Sequence, residues 1–460
     1  MSHLAAVTLP AFGSEELVPA IPPAVYRRRL DLATARMDAA GLDVLAVYGD
    51  REHFANLMFL TGFDPRFEEA LLLLARDGRR LLLAGNECFG FLPDEAVGVP
   101  AELFQEFSLP GQPRGGSRPL RVILESFGVR AGAQVGCAGW KRLTPALAGG
   151  DAGTLEIPSY LADTLRALAG DRGRVVNAND LFTGPADGLR LAAEPEQIAA
   201  FEFAATRTSD GILALLRQLR PGVRENALEP LLDARGLPLT CHRMVSFGAK
   251  ARRGLASPSD NVARLGDPCT TAFGIVGALT ARAGCLARGP QDLPPDLRDF
   301  YDAFASNYFD VVAAWYGALR VGATAGAVYA AAEARRDDRL WRFALNPGHY
   351  LHLDEWMHSP FAAGSPVPLR SGLALQADII PVSTGPFCCS NVEDGVVLAD
   401  AALRARLQQD YPACWDRIGK RRAFMRDVLH VPLDESVLPL GNTPAWLPPY
   451  LLDLSQALVA

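Results

Sequence analysis

The chain is expected to be an α/β (α+β) protein of two domains, and three observations lead there. Short apolar runs alternate with segments of helical period through the first 180 or so residues. Near 185–195 the pattern changes to long helical stretches with strand-like pieces between them. At 460 residues the chain is long enough for two separate cores. The domains are placed at 1–182 and 183–460.

The elements follow in order. Residues 24–40 carry apolar side chains at helical spacing and stop at Gly41. The run 43–49, ended by Gly49 and Asp50, is a buried strand. Residues 57–62 and 69–74 also have the composition of strands. Asp77 and Gly78 then turn the chain into 80–84, giving a hairpin. Helix and strand alternate to about 179. In the second half a long helix begins near 189 and runs to Leu219, before Pro221 and Gly222. A helix at 225–235, strands near 240–248 and 268–286, and helices at 294–319 and 324–335 come next. Strands at 374–380 and 393–398 and a helical tail at 400–427 complete the pattern.

Composition excludes several classes. A formal charge of −7 argues against a nucleic-acid or anionic-membrane surface. A hydrophobic content of 49% and a charged content of 21% are ordinary for a folded chain. No run of about 18 apolar residues is present to span a bilayer, and residues 1–16 do not resemble a leader. Eight cysteines are scattered without a CxxC pair, which fits buried thiols better than disulfides or zinc. A cytoplasmic location is therefore expected. There is no Gly-x-Ser-x-Gly, and Cys241 and His242 would point to opposite faces of a strand. No phosphate-cradling glycine loop follows a strand.

The chemistry concentrates at 346–360. Within this stretch His349, His352 and His358 stand with Asp354 and Glu355, and Asp378 and Glu393 follow downstream. Imidazole and carboxylate together hold a divalent metal or move protons. Asp378 and Glu393 are set in apolar strand patterns, so each must be paired, protonated or metal-bound. The alternative partner for either is Arg282 or Arg288. Arg282 is also a candidate anchor for a substrate carboxylate. His349 and His352 would face the same way only on a helix. Glu355 and His358 are equally compatible with the surface.

Several stretches in order resemble the creatinase/prolidase/aminopeptidase P family. They include Phe59–Phe63 with Arg66 and Glu69, Gly85 with Glu87, Leu189 with Glu196, Leu219–Glu225, Gly266–Asp267, Gly348–His349, 371–381 and Asn391–Gly395. The resemblance implies a creatinase-like N-terminal domain, a C-terminal pita-bread domain and a homodimer. It also implies five metal ligands. The first falls six residues after Gly266, on Ala272, and the second eleven further on, on Ala283. The remaining three fall on His349, Asp378 and Glu393. Leu255 stands in the region of the family's metal-free catalytic histidine. Trp356 stands at its second histidine, unless a two-residue slip puts His358 there. Arg66 and Phe63, with His53 nearby, correspond to a loop that in the family reaches the neighbouring subunit's pocket.

Two cations about 3.5–4 Å apart need bridging carboxylates, so an ordinary two-metal Xaa-Pro peptidase is not expected. The expected cofactor is none, or one weakly held Mn, Zn or Fe on His349, Asp378 and Glu393. The expected function is hydrolysis of a small C–N bonded substrate: a dipeptide, an amide or a guanidino compound. His349, His352, Asp378 and Glu393 are the catalytic candidates, and Arg66, Phe63, Arg282 and His358 the substrate-binding ones. The alternative is an inactive relative that binds a small ligand or a protein. No nucleic-acid or membrane partner is expected.

Overall fold

A computed structural model describes all residues except 145 and 148. The chain divides into two units, Ile21–Leu191 and Met1–Ala20 together with Ala192–Ala460. The division falls nine residues beyond the expected 182/183. Residues after the helix Asp180–Thr183 stay with the first unit, where buried Arg190 donates to Asn56 Oδ1 at 2.9 Å. The opening arm belongs to the second unit. Its strand His3–Ala6 pairs with Gln456–Val459, and Arg417 binds both Glu15 and buried Glu202 at 2.8 Å.

The first unit is a mixed six-stranded sheet in the order Ala101–Leu103, Arg80–Ala84, Ala70–Ala75, Val44–Gly49, Val135–Ala138, Val175–Asn177. The all-apolar central strands are buried along their length, as their composition requires. The hairpin at Asp77–Gly78 forms as expected. The segment 57–62 does not form a strand. It is part of a helix, Ala55–Thr61, capped by left-handed Gly62. Nearly every side chain of this helix is buried, which erases the periodicity that separates a short buried helix from a strand.

The second unit is built from antiparallel sheets and two long helices, Pro195–Gln218 and Arg298–Ala318. One four-stranded sheet runs Asn391–Glu393, Ala278–Cys285, Pro268–Ile275, Met244–Phe247. The other runs His349–Tyr350, Ala374–Gln376, Gly395–Leu398, Val437–Pro439. The segment 391–398 passes from one sheet to the other at Asp394. The expected helix at 225–235 is only the turn Glu225–Leu228 and a 3-10 turn, because Pro230 supplies no N–H. The helical tail is two helices, Ala401–Asp410 and Pro412–Ala423, separated where Pro412 opens the second. Among the described residues no helix is long and apolar enough to cross a membrane.

Glu225 ties down the loop 248–261. Its buried carboxylate accepts from Phe247 N at 2.9 Å, Lys250 Nζ at 2.6 Å, Ser259 Oγ at 2.7 Å and Asn261 Nδ2 at 3.0 Å. Burial pushes its pKa up, but these donors outweigh burial and hold it below the ordinary 4.5. The charged form is thus favoured by folding. Its stabilisation is complete above pH 4.5 and is lost as pH falls through the lower folded value. Glu225→Gln is expected to cost about 3 kcal/mol at pH 7 and to flatten the acid limb of stability. Urea denaturation at pH 7 and at pH 3.5 checks both; an unchanged acid limb refutes this role.

Candidate metal and acid–base centre

His349, Asp378 and Glu393 come together where the two four-stranded sheets meet. Their ligand atoms all lie within 4.8 Å of one another, and all three side chains are buried. One helix positions all three. Its buried face carries Tyr301, Phe304, Tyr308, Val312 and Trp315 at helical spacing. The Tyr308 hydroxyl donates to Ile379 O at 2.7 Å and accepts from Val392 N at 2.9 Å, clamping the segments that hold Asp378 and Glu393. Trp315 Nε1 donates to Pro347 O at 2.9 Å beside His349. Gly348 has φ +92, and a Cβ there would meet Trp315 at 2.9 Å, so only glycine fits the turn into His349.

Tyr308→Phe leaves Ile379 O and Val392 N buried without this partner. It is expected to cost about 2 kcal/mol, read by denaturation. A loss below about 0.5 kcal/mol, within the range of an ordinary surface change, would dismiss the clamp.

His349 Nε2 faces three carboxylates: Glu355 Oε1 at 3.3 Å, Glu393 Oε1 at 3.7 Å and Asp378 Oδ2 at 3.9 Å. Its Nδ1 lies 3.2 Å from Tyr350 O. Yet Nε2 and Asp378 Oδ1 have no partner in hydrogen-bond geometry among the described residues. Burial alone would lower the His349 pKa, but Glu355, Glu393 and Asp378 outweigh it and raise it to about 10. Burial lifts Asp378 to about 6, partly opposed by His349. Burial, with the charge of Asp378, pushes Glu393 well above the ordinary carboxylate range. Such shifts mark a site where proton or cation binding is strongly favoured.

Glu355 enters the site through a loop closure. Tyr350 N donates to His358 O at 2.7 Å and Met357 N to Tyr350 O at 3.1 Å, folding 351–357 back over His349. This also lays Trp356 face-on against the His349 ring, with centroids 4.1 Å apart at 24°. Trp356, not His358, therefore covers the imidazole. His352 turns the other way and packs edge-on against Phe201 at 5.0 Å, outside the ligand cluster. The strand ends at Tyr350, and the chain bends at 352–355, which turns His352 away from His349.

Arg282 is not a substrate anchor. It is fully buried and bound to both oxygens of Asp394 at 2.9 Å, to Trp446 O at 2.8 Å and to Thr443. Neither it nor Arg288, which pairs with Asp292, neutralises Asp378 or Glu393. Phe63 is buried in the core of the first unit. Arg66, in that same unit, is exposed and lies over Phe91 at 4.2 Å. His53 stacks on Trp140 at 4.7 Å.

The register decides which residues stand beside Glu393. Pro268–Ile275 and Ala278–Cys285 are joined by a two-residue turn at Val276 and Gly277, which pairs Ala272 with Ala281. Ala281 also stands opposite Glu393, and Ala272 opposite Met244. One face thus presents the row Met244, Ala272, Ala281, Glu393. Ala283, reached by counting eleven from Ala272, sits two pairs further on, opposite Thr270 and Asn391. Met244, Ala272, Leu279 and Ala281 form an apolar cluster with Cys241 and Leu255 packed on it. Among the described residues, His349, Asp378 and Glu393 are the group whose ligand atoms converge on one possible cation position.

No family model and no curated protein sequence matches the chain. Solved structures do. A dipeptidase PepE from Mycobacterium ulcerans is 20% identical with a TM-score of 0.61, over 82% of this chain and 94% of that one. A Xaa-Pro dipeptidase from Bacillus anthracis is 15% identical with a TM-score of 0.61, over 82% and 96%. The N-terminal domain of FACT complex subunit SPT16 from Cicer arietinum is 15% identical with a TM-score of 0.60, over 83% and 95%. The chain has the two-domain pita-bread fold of prolidases, Xaa-Pro dipeptidases and X-Pro aminopeptidases.

Proposed function

We propose that the chain is a hydrolase of a small C–N bonded substrate, a short peptide, amide or guanidino compound, and not an ordinary two-metal Xaa-Pro peptidase. The observation that carries this reading is the buried cluster itself. His349 Nε2 is buried among the carboxylates of Glu355, Glu393 and Asp378, and Asp378 Oδ1 is withdrawn from water without a hydrogen-bond partner among the described residues, an arrangement that a bound guest would complete. His349, Asp378 and Glu393 would hold one cation, which when bound lowers the pKa of water and polarises a carbonyl. The residues' own part is to orient and to carry protons. Glu355 aligns His349, Trp356 shields it from solvent, and Asp378 and Glu393 take a proton from water and return it to the leaving nitrogen. Phe63, Arg66, His53 and His358 have no contact that assigns them a substrate role. A homodimer in the cytoplasm completes the reading.

The test uses protein stripped with chelator, then reloaded with Mn, Zn or Fe, against Xaa-Pro dipeptides, other dipeptides, amides and guanidino compounds. Turnover is expected on one class, falling about 100-fold or more in Glu393→Gln, with no second equivalent of metal. Absence of turnover on every class would leave the second reading, an inactive module that binds a ligand or protein. That reading draws on the two alanines in the row and on a complex subunit among the proteins of this fold.

A further inference from the structure

The half of the centre without carboxylates has its own chemistry. The row Met244, Ala272, Ala281 runs across three strands and ends directly at Glu393. Leu279 closes it on the turn side, while Cys241 and Leu255, both partly open to solvent, pack against it. Through the register of the strands this cluster adjoins Glu393. The apolar surface and the acid cluster are therefore two walls of one place. Leu255 rides on the loop that Glu225 ties down through Phe247, Lys250, Ser259 and Asn261, so this wall is held in position.

We propose that Cys241 and Leu255, the partly exposed members of this cluster, packed on buried Met244, Ala272 and Ala281, form the seat for an aliphatic group of the substrate, adjacent to the bond presented to Glu393. This rests on the hydrolase reading and adds the substrate class: small C–N compounds with a branched or long aliphatic group beside the reacting bond. Apolar atoms gain by leaving water for this wall. An ammonium or carboxylate placed there would lose its hydration without a partner on the alanine and methionine side.

Cys241 makes the seat measurable without turnover. Modification of Cys241 by a methanethiosulfonate reagent, located by peptide mass mapping, is followed with leucinamide, glycinamide, lysinamide or glutamate α-amide present. Leucinamide is expected to protect at a concentration about tenfold lower than glycinamide, and the two charged amides to protect no better than glycinamide. In Leu255→Asp the leucinamide advantage is expected to vanish. Equal protection by all four, or none by any, overturns the seat. Turnover without aliphatic preference overturns this inference alone; leucinamide protection without turnover of any compound keeps the seat and overturns the hydrolase reading.

Discussion

Replacing Arg282 by alanine is expected to destabilise the chain by about 3–5 kcal/mol, the largest single effect on folding. The guanidinium is buried between two sheets and holds both Asp394 oxygens at 2.9 Å, Trp446 O at 2.8 Å and Glu393 O at 3.3 Å. Its removal leaves Asp394 charged and without its cation, with only Ala445 N at 2.9 Å and Thr443 near it. Burial already pushes the Asp394 pKa up against the pull of Arg282, so the loss should shrink as pH falls and the carboxyl is neutralised. Arg282→Met with Asp394→Leu removes both charges and should cost far less than the single change. Urea denaturation of the three proteins decides it. A single variant within 1 kcal/mol of the parent, the spread of ordinary surface changes being about 0.5 kcal/mol, would mean the pair contributes little. Because Arg282 also holds the carbonyl of Glu393, the same variant should lose whatever ligand the centre binds.

The second large effect is a change of metal stoichiometry. Ala272→Asp with Ala281→Asp is expected to raise bound manganese from at most one equivalent to two, measured by elemental analysis after gel filtration. The register places both positions in the row that ends at Glu393, so two new carboxylates would supply the bridging charge that a cation pair requires. Ala272→Asp with Ala283→Asp is the control. Residue 283 lies two residues along its strand, about 7 Å away, and should leave the stoichiometry unchanged. If the second equivalent appears with residue 283 and not with 281, the register argument fails. The new carboxylates enter an apolar cluster, so both variants should be less stable until metal is added.

Much of this centre was legible beforehand. Asp378 and Glu393 were readable because charged groups inside apolar runs must meet a partner, and His349 because it stands in the cluster of histidines and acids at 346–360. The place of Arg282 was also within reach: alternation along a strand puts residue 282 on the face opposite 281 and 283, away from the centre. Other features were not. The register slip from 283 to 281 comes from a turn only two residues long. Glu355 and Trp356 reach His349 because Tyr350 pairs with His358, a closure that leaves no periodic trace. Tyr308 and Trp315 lie inside an expected helix, and nothing in their spacing says that their polar atoms hold the centre.

By itself the amino-acid order determined which side chains are withdrawn from water, where the chain alternates helix with strand, and that alanines stand at 272 and 281. Those properties depend on neighbours a few residues apart. The tertiary structure alone decided which withdrawn groups face each other, which alanine stands before Glu393, and that an apolar wall fills the other half. Such choices are set by loop closure, by hairpin register and by the pairing of strands as far apart in the chain as those of Ala281 and Glu393, where no periodic pattern reaches.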